Sequence, residues 1–257
     1  MATEYSGGDP ERSLELLWGG RTRPSRGPKP ALTLDRIALA AIEIADTDGL
    51  GALSMRAVAE RLGFTTMSLY RHVPGKAELL DVMVDTVNAE SPMLEEVEGG
   101  WRAKMEVCAR EEWALFHRHP WVLQLAWHRP ALGPNGTTAY ESALTALSGI
   151  GLSDNEIVAV FNTLYGYVRG AARVSVDAKL AERHTGVTED EWWSSRDRYW
   201  RELVTPERFP TLNRIRRSDA FDAIGMDFEF GLERVLDGLA ALIDSRPLGA
   251  KADDRAL

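Results

Sequence analysis

Cysteine is almost missing from this 257-residue chain: Cys108 stands alone, so no internal disulfide can form and a reducing cytoplasm is the expected compartment. Cys108 itself reads as a small packed hydrophobe. Long apolar runs are missing too. None approaches the roughly 18 residues needed to span a bilayer, which argues against a membrane partner. The first residues place Glu4, Asp9 and Glu11 where a secretory signal would carry basic and then apolar residues. Chemistry-bearing spacings are also lacking. There is no His-Glu-x-x-His, no paired Cys-x-x-Cys and no Gly-x-Ser-x-Gly. His117 and His119 would point their rings apart on a helix, and Gly133-Pro134-Asn135-Gly136 reads as a turn rather than a phosphate loop. Neither an enzymatic activity nor a resident metal or cofactor is assigned. No segment alternates convincingly with period two, so the fold class read here is all-α.

Positive charge is in deficit overall, with a net of −9, but it is unevenly placed. Residues 20–80 carry nine Lys/Arg against six Asp/Glu, a net of +3, which leaves −12 on the remainder. A mildly basic block is thus joined to an acidic body, and phosphate binding depends on the local charge. Residues 1–31 read as a flexible basic extension in which only Leu14–Trp18 has amphipathic character. RTRPSRGPKP (21–30) holds three prolines, one glycine and four basic groups. The organisation expected after it is a reading head over 32–78, an all-helical body over 79–245 and a disordered tail over 246–257.

Three successive helix starts share one device. Thr33, Ser54 and Thr65 are good N-caps, and each is bracketed by an apolar pair five residues apart: Leu32 with Ile37, Leu53 with Val58, Phe64 with Leu69. The helices expected are about 33–47, 55–62 and the short stretch TTMSLYRHV (65–73), followed by one from Lys76 towards residue 90. Isolated helices this short are marginal in water. The third must therefore be braced through Leu69 and Val73, which leaves Thr66, Met67, Tyr70 and Arg71 facing outward. A short helix, a glycine turn and another short helix form a helix-turn-helix. Hydroxyls, a cation and apolar atoms on one face suit a major-groove wall, where base edges are readable. The same face would also serve as the solvated surface of a small bundle.

ALSMRAVAERLGFTTMSLYRHVPGKAELLDVMVD (52–85) strongly resembles the DNA-binding domain of tetracycline-repressor (TetR) family regulators. HPWVLQLAWHRPALGPNG (119–136), LYGYVRGA (164–171) and FEFGLERVLDGLAAL (228–242) resemble the C-terminal ligand-binding and dimerisation domain of the same family. The resemblance implies that the recognition helix reads bases through Thr66 and Met67, with Arg56 entering from the preceding helix and able to grip guanine. Ser68, Tyr70, His72 and Lys76 match phosphate-gripping positions, and Arg71 is grouped with them. Tyr70 has packing across helix ends as its alternative, and His72 has capping. The tetracycline repressor carries glutamine and proline where Thr66 and Met67 stand, so its operator does not transfer. Its inducer arrives with magnesium, whose ligands find no match here, and magnesium is not assigned. Arg21, Arg23, Arg26 and Lys29 are candidates for a minor-groove arm.

In the body, Phe221, Gly225, Phe228, Leu232, Val235, Leu239 and Leu242 repeat at alternating three- and four-residue steps. A second long helix, about 154–177, opens with the capping box Ser153-x-x-Glu156 and stripes Phe161, Leu164 and Val168. The resemblance implies that these two helices form a homodimer across a two-fold axis, with Phe161, Val168, Phe228, Leu232, Val235 and Leu239 at its interface. An intramolecular core is the alternative for these residues. Trp113, Phe116, His117, Trp127, Asn162, Tyr165 and Arg169 are the candidates for an effector pocket, an apolar cavity with a few placed polar groups. The function expected is a ligand-responsive homodimeric repressor that binds a palindromic double-stranded operator and is released by a small molecule. The alternatives are a constitutive or activating regulator, or a helical ligand-binding module without operator binding.

Overall fold

The computed structural model describes residues 9–19, 31–125, 130–218 and 228–245. Among them are twelve α-helices and no β-strand. In chain order these are α1 (Pro10–Gly19), α2 (Leu34–Asp48), α3 (Met55–Leu62), α4 (Thr66–Tyr70), α5 (Lys76–Asn88), α6 (Trp101–Arg118), α7 (Pro134–Leu147), α8 (Asp154–Thr185), α9 (Glu189–Ser194), α10 (Asp197–Leu203), α11 (Pro210–Arg216) and α12 (Phe228–Asp244).

The head is built as its caps dictate. Thr33, Ser54 and Thr65 each accept a backbone N–H three residues on, at 3.2, 3.1 and 3.3 Å. Ile37, Val58 and Leu69, the far members of the three apolar pairs, are fully buried, and so is Val73. Gly63 ends α3 at φ 73°, a left-handed turn that glycine enters without a Cβ penalty. Five-residue α4 is therefore held by packing on α3 and by Leu69 and Val73 in the common core, and not by its own propensity.

The boundary expected at 78/79 falls inside α5, a helix shared by head and body. The expectation of a flexible N-terminal extension does not hold over Pro10–Gly19. α1 lies on α5, with Leu17 buried against Ala38 and Val82. The Leu14–Trp18 pattern was amphipathic enough to mark this helix, but its partner face is assembled from two other helices.

In the body, α6, α8 and α12 pack together, and α7 leans across α5. Gly133 and Gly136 permit that approach: a Cβ on either would meet Asp85 at 2.3 Å or Asn88 at 2.8 Å. Asp85 then accepts the N–H groups of Asn135 and Gly136 at the start of α7. The capping box of α8 is present, with Ser153 N donating to Glu156 at 3.0 Å. At 32 residues, α8 is about 48 Å long at the usual helical rise.

Candidate nucleic-acid interface and cavity

The face expected to read DNA is on the outside of the head. Met67 is 70% exposed and Tyr70 46%; Arg56 and Arg71 are exposed, and Thr66, Ser68 and His72 are half-buried. The Ser68 hydroxyl already shares a 2.9 Å hydrogen bond with the Thr65 cap hydroxyl, in which either can donate. Arg56 Nε donates to Glu60 at 2.8 Å one turn on, which keeps the guanidinium charged and in check. Lys76 is the first residue of α5, where the positive end of the helix dipole adds to its charge. Arg21, Arg23, Arg26 and Lys29 lie outside the described residues.

Behind the head a cavity of about 590 Å³ opens between α5, α6, α7 and α8. Of the residues considered for an effector pocket, Asn162, Tyr165 and Arg169 line it. The other pocket candidates do not. Trp113 stacks on Phe228 with centroids 4.3 Å apart, and His117 is bonded to the Trp113 carbonyl at 2.8 Å and to Ser175 at 2.9 Å. Phe116 is fully buried beneath the lining, edge-on to Tyr165 and under the Arg169 guanidinium. Trp127 lies outside the described residues. Aromatic clustering marked α6 correctly but not which of its faces meets the cavity.

The residues considered for a dimer interface lie inside the chain. Phe161 lines the cavity, stacked on Tyr165 and edge-on to Tyr140. Val168, Phe228, Leu232 and Leu239 are buried within the chain, at 1%, 8%, 0% and 8% exposure, where α8 packs on α12. Val235 is partly buried in the same core. The alternating repeat is an intramolecular seam, and Phe221 and Gly225 lie outside the described residues. Gly231 serves that seam: its backbone passes so close to Tyr167 that a Cβ would stand 2.2 Å from the phenolic oxygen, which donates to the Phe228 carbonyl.

Among the lining residues not anticipated is Glu112, in the cavity wall beside Tyr165 and Arg169. Burial pushes its carboxyl up to about 7, against the opposing Tyr165 hydroxyl and the Arg169 guanidinium. A signal was available, because Glu112 interrupts the inward stripe of Met105, Ala109 and Phe116 on α6. Tyr165 is itself raised well above the ordinary tyrosine value by burial and then by the Glu112 charge. Cys108 also lines the wall, and burial drives its thiol up to about 12, which leaves it inert as a nucleophile. Among the described residues, no three His, Cys, Asp or Glu side chains gather to hold a metal ion.

Two sets of hydrogen bonds, joined by the chain between residues 120 and 125, link this cavity to the head. Arg169 Nη2 donates to the carbonyls of Val122, Leu123 and Leu125 at 3.4, 3.2 and 2.8 Å, and Arg173 Nη1 adds 3.0 Å to Leu123. The short 3₁₀ turn Pro120–Gln124 that they grip carries Trp121, whose indole donates to Asp46 of α2 at 2.8 Å. His119, just before that turn, bonds the same Asp46 at 2.9 Å and Glu90 at 3.2 Å. Burial alone would lower the His119 pKa, but the contacts with Asp46 and Glu90 outweigh it and the value is raised.

An exposed helix-turn-helix face, wired through a helical body to an internal cavity, defines a DNA-binding transcriptional regulator. Two family models match: "Bacterial regulatory proteins, tetR family" over residues 32–83, and "Tetracyclin repressor-like, C-terminal domain" over 92–243. The chain belongs to the tetR family of regulators and is not an enzyme. It is 48% identical over 250 residues to the HTH-type transcriptional repressor DrrR1 of Streptomyces coeruleorubidus, covering 95% of this chain and 91% of that one. Apo ActR from Streptomyces coelicolor superposes with a TM-score of 0.68 at 29% identity, over 84% of this chain and 99% of that one. ActR in complex with actinorhodin gives 0.68 at 30%, over 83% and 97%. No helix among the described residues is long and apolar enough to cross a membrane.

Proposed function

We propose that this chain is a cytoplasmic homodimeric repressor whose operator affinity is lowered when a small molecule fills the α5–α8 cavity. The observation that carries the reading is the bonded route from Arg169 to Asp46, because a cavity wired to the first helix of a reading head has means to reposition it. Effector leverage equals its differential affinity for the DNA-competent and the released forms. An occupant that competes for the Arg169 guanidinium would release the 122–125 carbonyls, shift Trp121 and loosen the grip on Asp46. The cavity volume lies within the usual range for drug-sized ligands, and its apolar wall with one polar corner at Glu112, Tyr165 and Arg169 suits a largely aromatic molecule. The solved relative ActR, in complex with actinorhodin, supports a small-molecule effector.

Thr66, Met67 and Arg56 are assigned to base reading, with Ser68, Tyr70, Arg71, His72 and Lys76 on phosphates. Two such heads separated by about one helical turn of DNA meet successive major grooves, which is the case for a palindromic operator. The dimer face is reassigned to the sides of α8 and α12 turned away from their mutual seam. Gly166, Gly170 and Gly238 there have no atom within 4 Å of a built Cβ, and Phe230 is 60% exposed. Glycine inside an exposed helix costs about 1 kcal/mol against alanine, a cost that close packing of a second chain would offset. The test is a titration of labelled upstream DNA by fluorescence anisotropy across salt concentrations, repeated with an aromatic panel that includes actinorhodin. Salt-steep binding reversed by one compound supports the reading. Binding that no compound moves would leave a constitutive regulator.

A further inference from the structure

The route through Arg169 leaves the N-terminal helix unused, yet α1 is firmly seated. Ser13 is 5% exposed, and its hydroxyl donates to Asp81 of α5 at 2.7 Å. Leu17 is 6% exposed in a small apolar cluster with Ala38 of α2 and Val82 of α5, to which Leu34 and Ala131 also pack. Trp18 Nε1 donates to the Leu132 carbonyl at 3.0 Å. Leu132 is the one non-glycine residue of positive φ among the described residues, at 51°, a region that leucine enters rarely. Asp81, Ala131 and Leu132 all line the cavity. One ten-residue helix thus holds three things at once: the first helix of the head, the shared helix α5, and a strained stretch of the cavity rim.

We propose that α1 is an intramolecular strap that couples the cavity rim to the DNA-reading head. The inference rests on the reading of the cavity as the effector site. Its docking depends on the shape of the rim, because the Trp18 bond ends on the carbonyl of Leu132, a residue held at positive φ. An occupant pressing outward on Ala131 and Leu132 breaks that bond. Freed at its C-terminal end, α1 withdraws Leu17 from between Ala38 and Val82 and loosens α2 on α5. By reciprocity, weakening the strap without an occupant loosens the same contact. One helix thus ties the rim, through Trp18 and Leu132, to the packing of α2 on α5 around Leu17, the physical link that coupling between the two requires.

The experiment is hydrogen–deuterium exchange on the full chain, with Nile red as the cavity probe and Trp18→Phe and Ser13→Ala as variants. Trp18 is 49% exposed, so phenylalanine removes the indole N–H without emptying a core. The expected result is exchange about two- to ten-fold faster across Leu14–Trp18 and across Leu34–Ala38 in either variant, the scale set by one lost hydrogen bond. Saturating Nile red in the wild-type chain produces the same pattern, while α12 is unchanged. If the dye binds saturably, as its blue shift would report, and α1 keeps its protection, the strap is overturned and the effector-cavity reading survives. Faster exchange in α1 with none in α2 also overturns it. Loosening of both helices by the variants, with no saturable dye uptake, supports the tie between strap and head and counts against the cavity reading instead.

Discussion

Trp121 donates its indole N–H to Asp46 across 2.8 Å, and this bond spans from the turn behind the cavity to the first helix of the reading head. Asp46 accepts from His119 as well, so one carboxylate collects two donors from the body. Asp46→Ala leaves both donors unpaired in a half-buried site and is expected to lower stability by about 1–3 kcal/mol. Asp46→Asn keeps one acceptor and recovers part of it. Denaturant unfolding reads the loss. Operator titration with and without effector reads the coupling, which the alanine variant reduces.

The same cluster gives the fold a pH dependence. His119 has its folded pKa raised above its ordinary 6.5 by Asp46 and Glu90, against the effect of burial; Arg118 also pairs with Glu90, at 3.0 Å. A raised value means that its stabilisation is complete below the unfolded pKa and disappears as pH rises through the folded one. Glu112, raised by burial from 4.5 to about 7, acts in the same direction: its contribution is full below 4.5 and lost by the time pH passes 7. Urea midpoints are therefore expected to fall as pH rises from 4.5 to about 7 through Glu112, and to go on falling above 6.5 through His119. Glu112→Gln flattens the lower part of that window, and His119→Gln the part above 6.5. Variants that follow the wild-type curve throughout would contradict both assignments.

On the reading face, Arg56 and Lys76 are expected to differ in kind. Arg56→Ala costs about 1–3 kcal/mol on the best operator and relaxes preference at one base pair. Lys76→Ala weakens every sequence and lowers the salt slope by about 0.9. Equal losses on scrambled DNA from both variants would count against this division. The Arg56–Glu60 pair adds a check: Glu60→Ala frees the guanidinium and raises affinity without sharpening specificity.

How much of this was legible in the sequence depended on whether a signal was local. The head was readable because Thr33, Ser54 and Thr65 each satisfy backbone donors within four residues, and because the flanking apolar pairs are fixed in spacing. Asn162, Tyr165 and Arg169 were readable as polar residues near the middle of the long helix, beside its apolar stripe. Asp46, Trp121 and His119 were not, since their partners lie 73–75 residues apart and nothing in either segment marks the other. The seam residues failed for a different reason. A heptad-like repeat on α12 states that the helix packs against another, and is silent on whether that helix belongs to the same chain.

Gly231 tests the seam directly. An alanine methyl there would stand 2.2 Å from the Tyr167 oxygen and 2.6 Å from its ring carbon, so α8 and α12 must part. Gly231→Ala is expected to cost about 1–3 kcal/mol, as overpacking does. Tyr167→Phe removes the nearest atom along with its bond to the Phe228 carbonyl. The double variant should therefore lose less than the two single losses added together, by an interaction of about 0.5 kcal/mol or more. Strict additivity in thermal unfolding would show that the clash is relieved elsewhere.

The proposed dimer face makes the sharpest contrast with the seam. Leu232 is fully buried and Phe230, two residues earlier on α12, is 60% exposed with Arg234 over its ring at 5.3 Å. Leu232→Asp places an unpaired charge in the intramolecular core and is expected to unfold the body. Phe230→Asp leaves that core intact, so helical content and thermal unfolding of the single chain stay close to wild type. On the dimer face it opposes a desolvated apolar contact with a carboxylate, so sedimentation shifts towards the monomer. A monomer reaches one half-site at a time and forfeits the gain in effective concentration that links the two heads. Operator affinity should then fall by about 100-fold or more while contacts to a single half-site persist. Should Phe230→Asp remain dimeric and bind normally, the two chains must meet on some other surface.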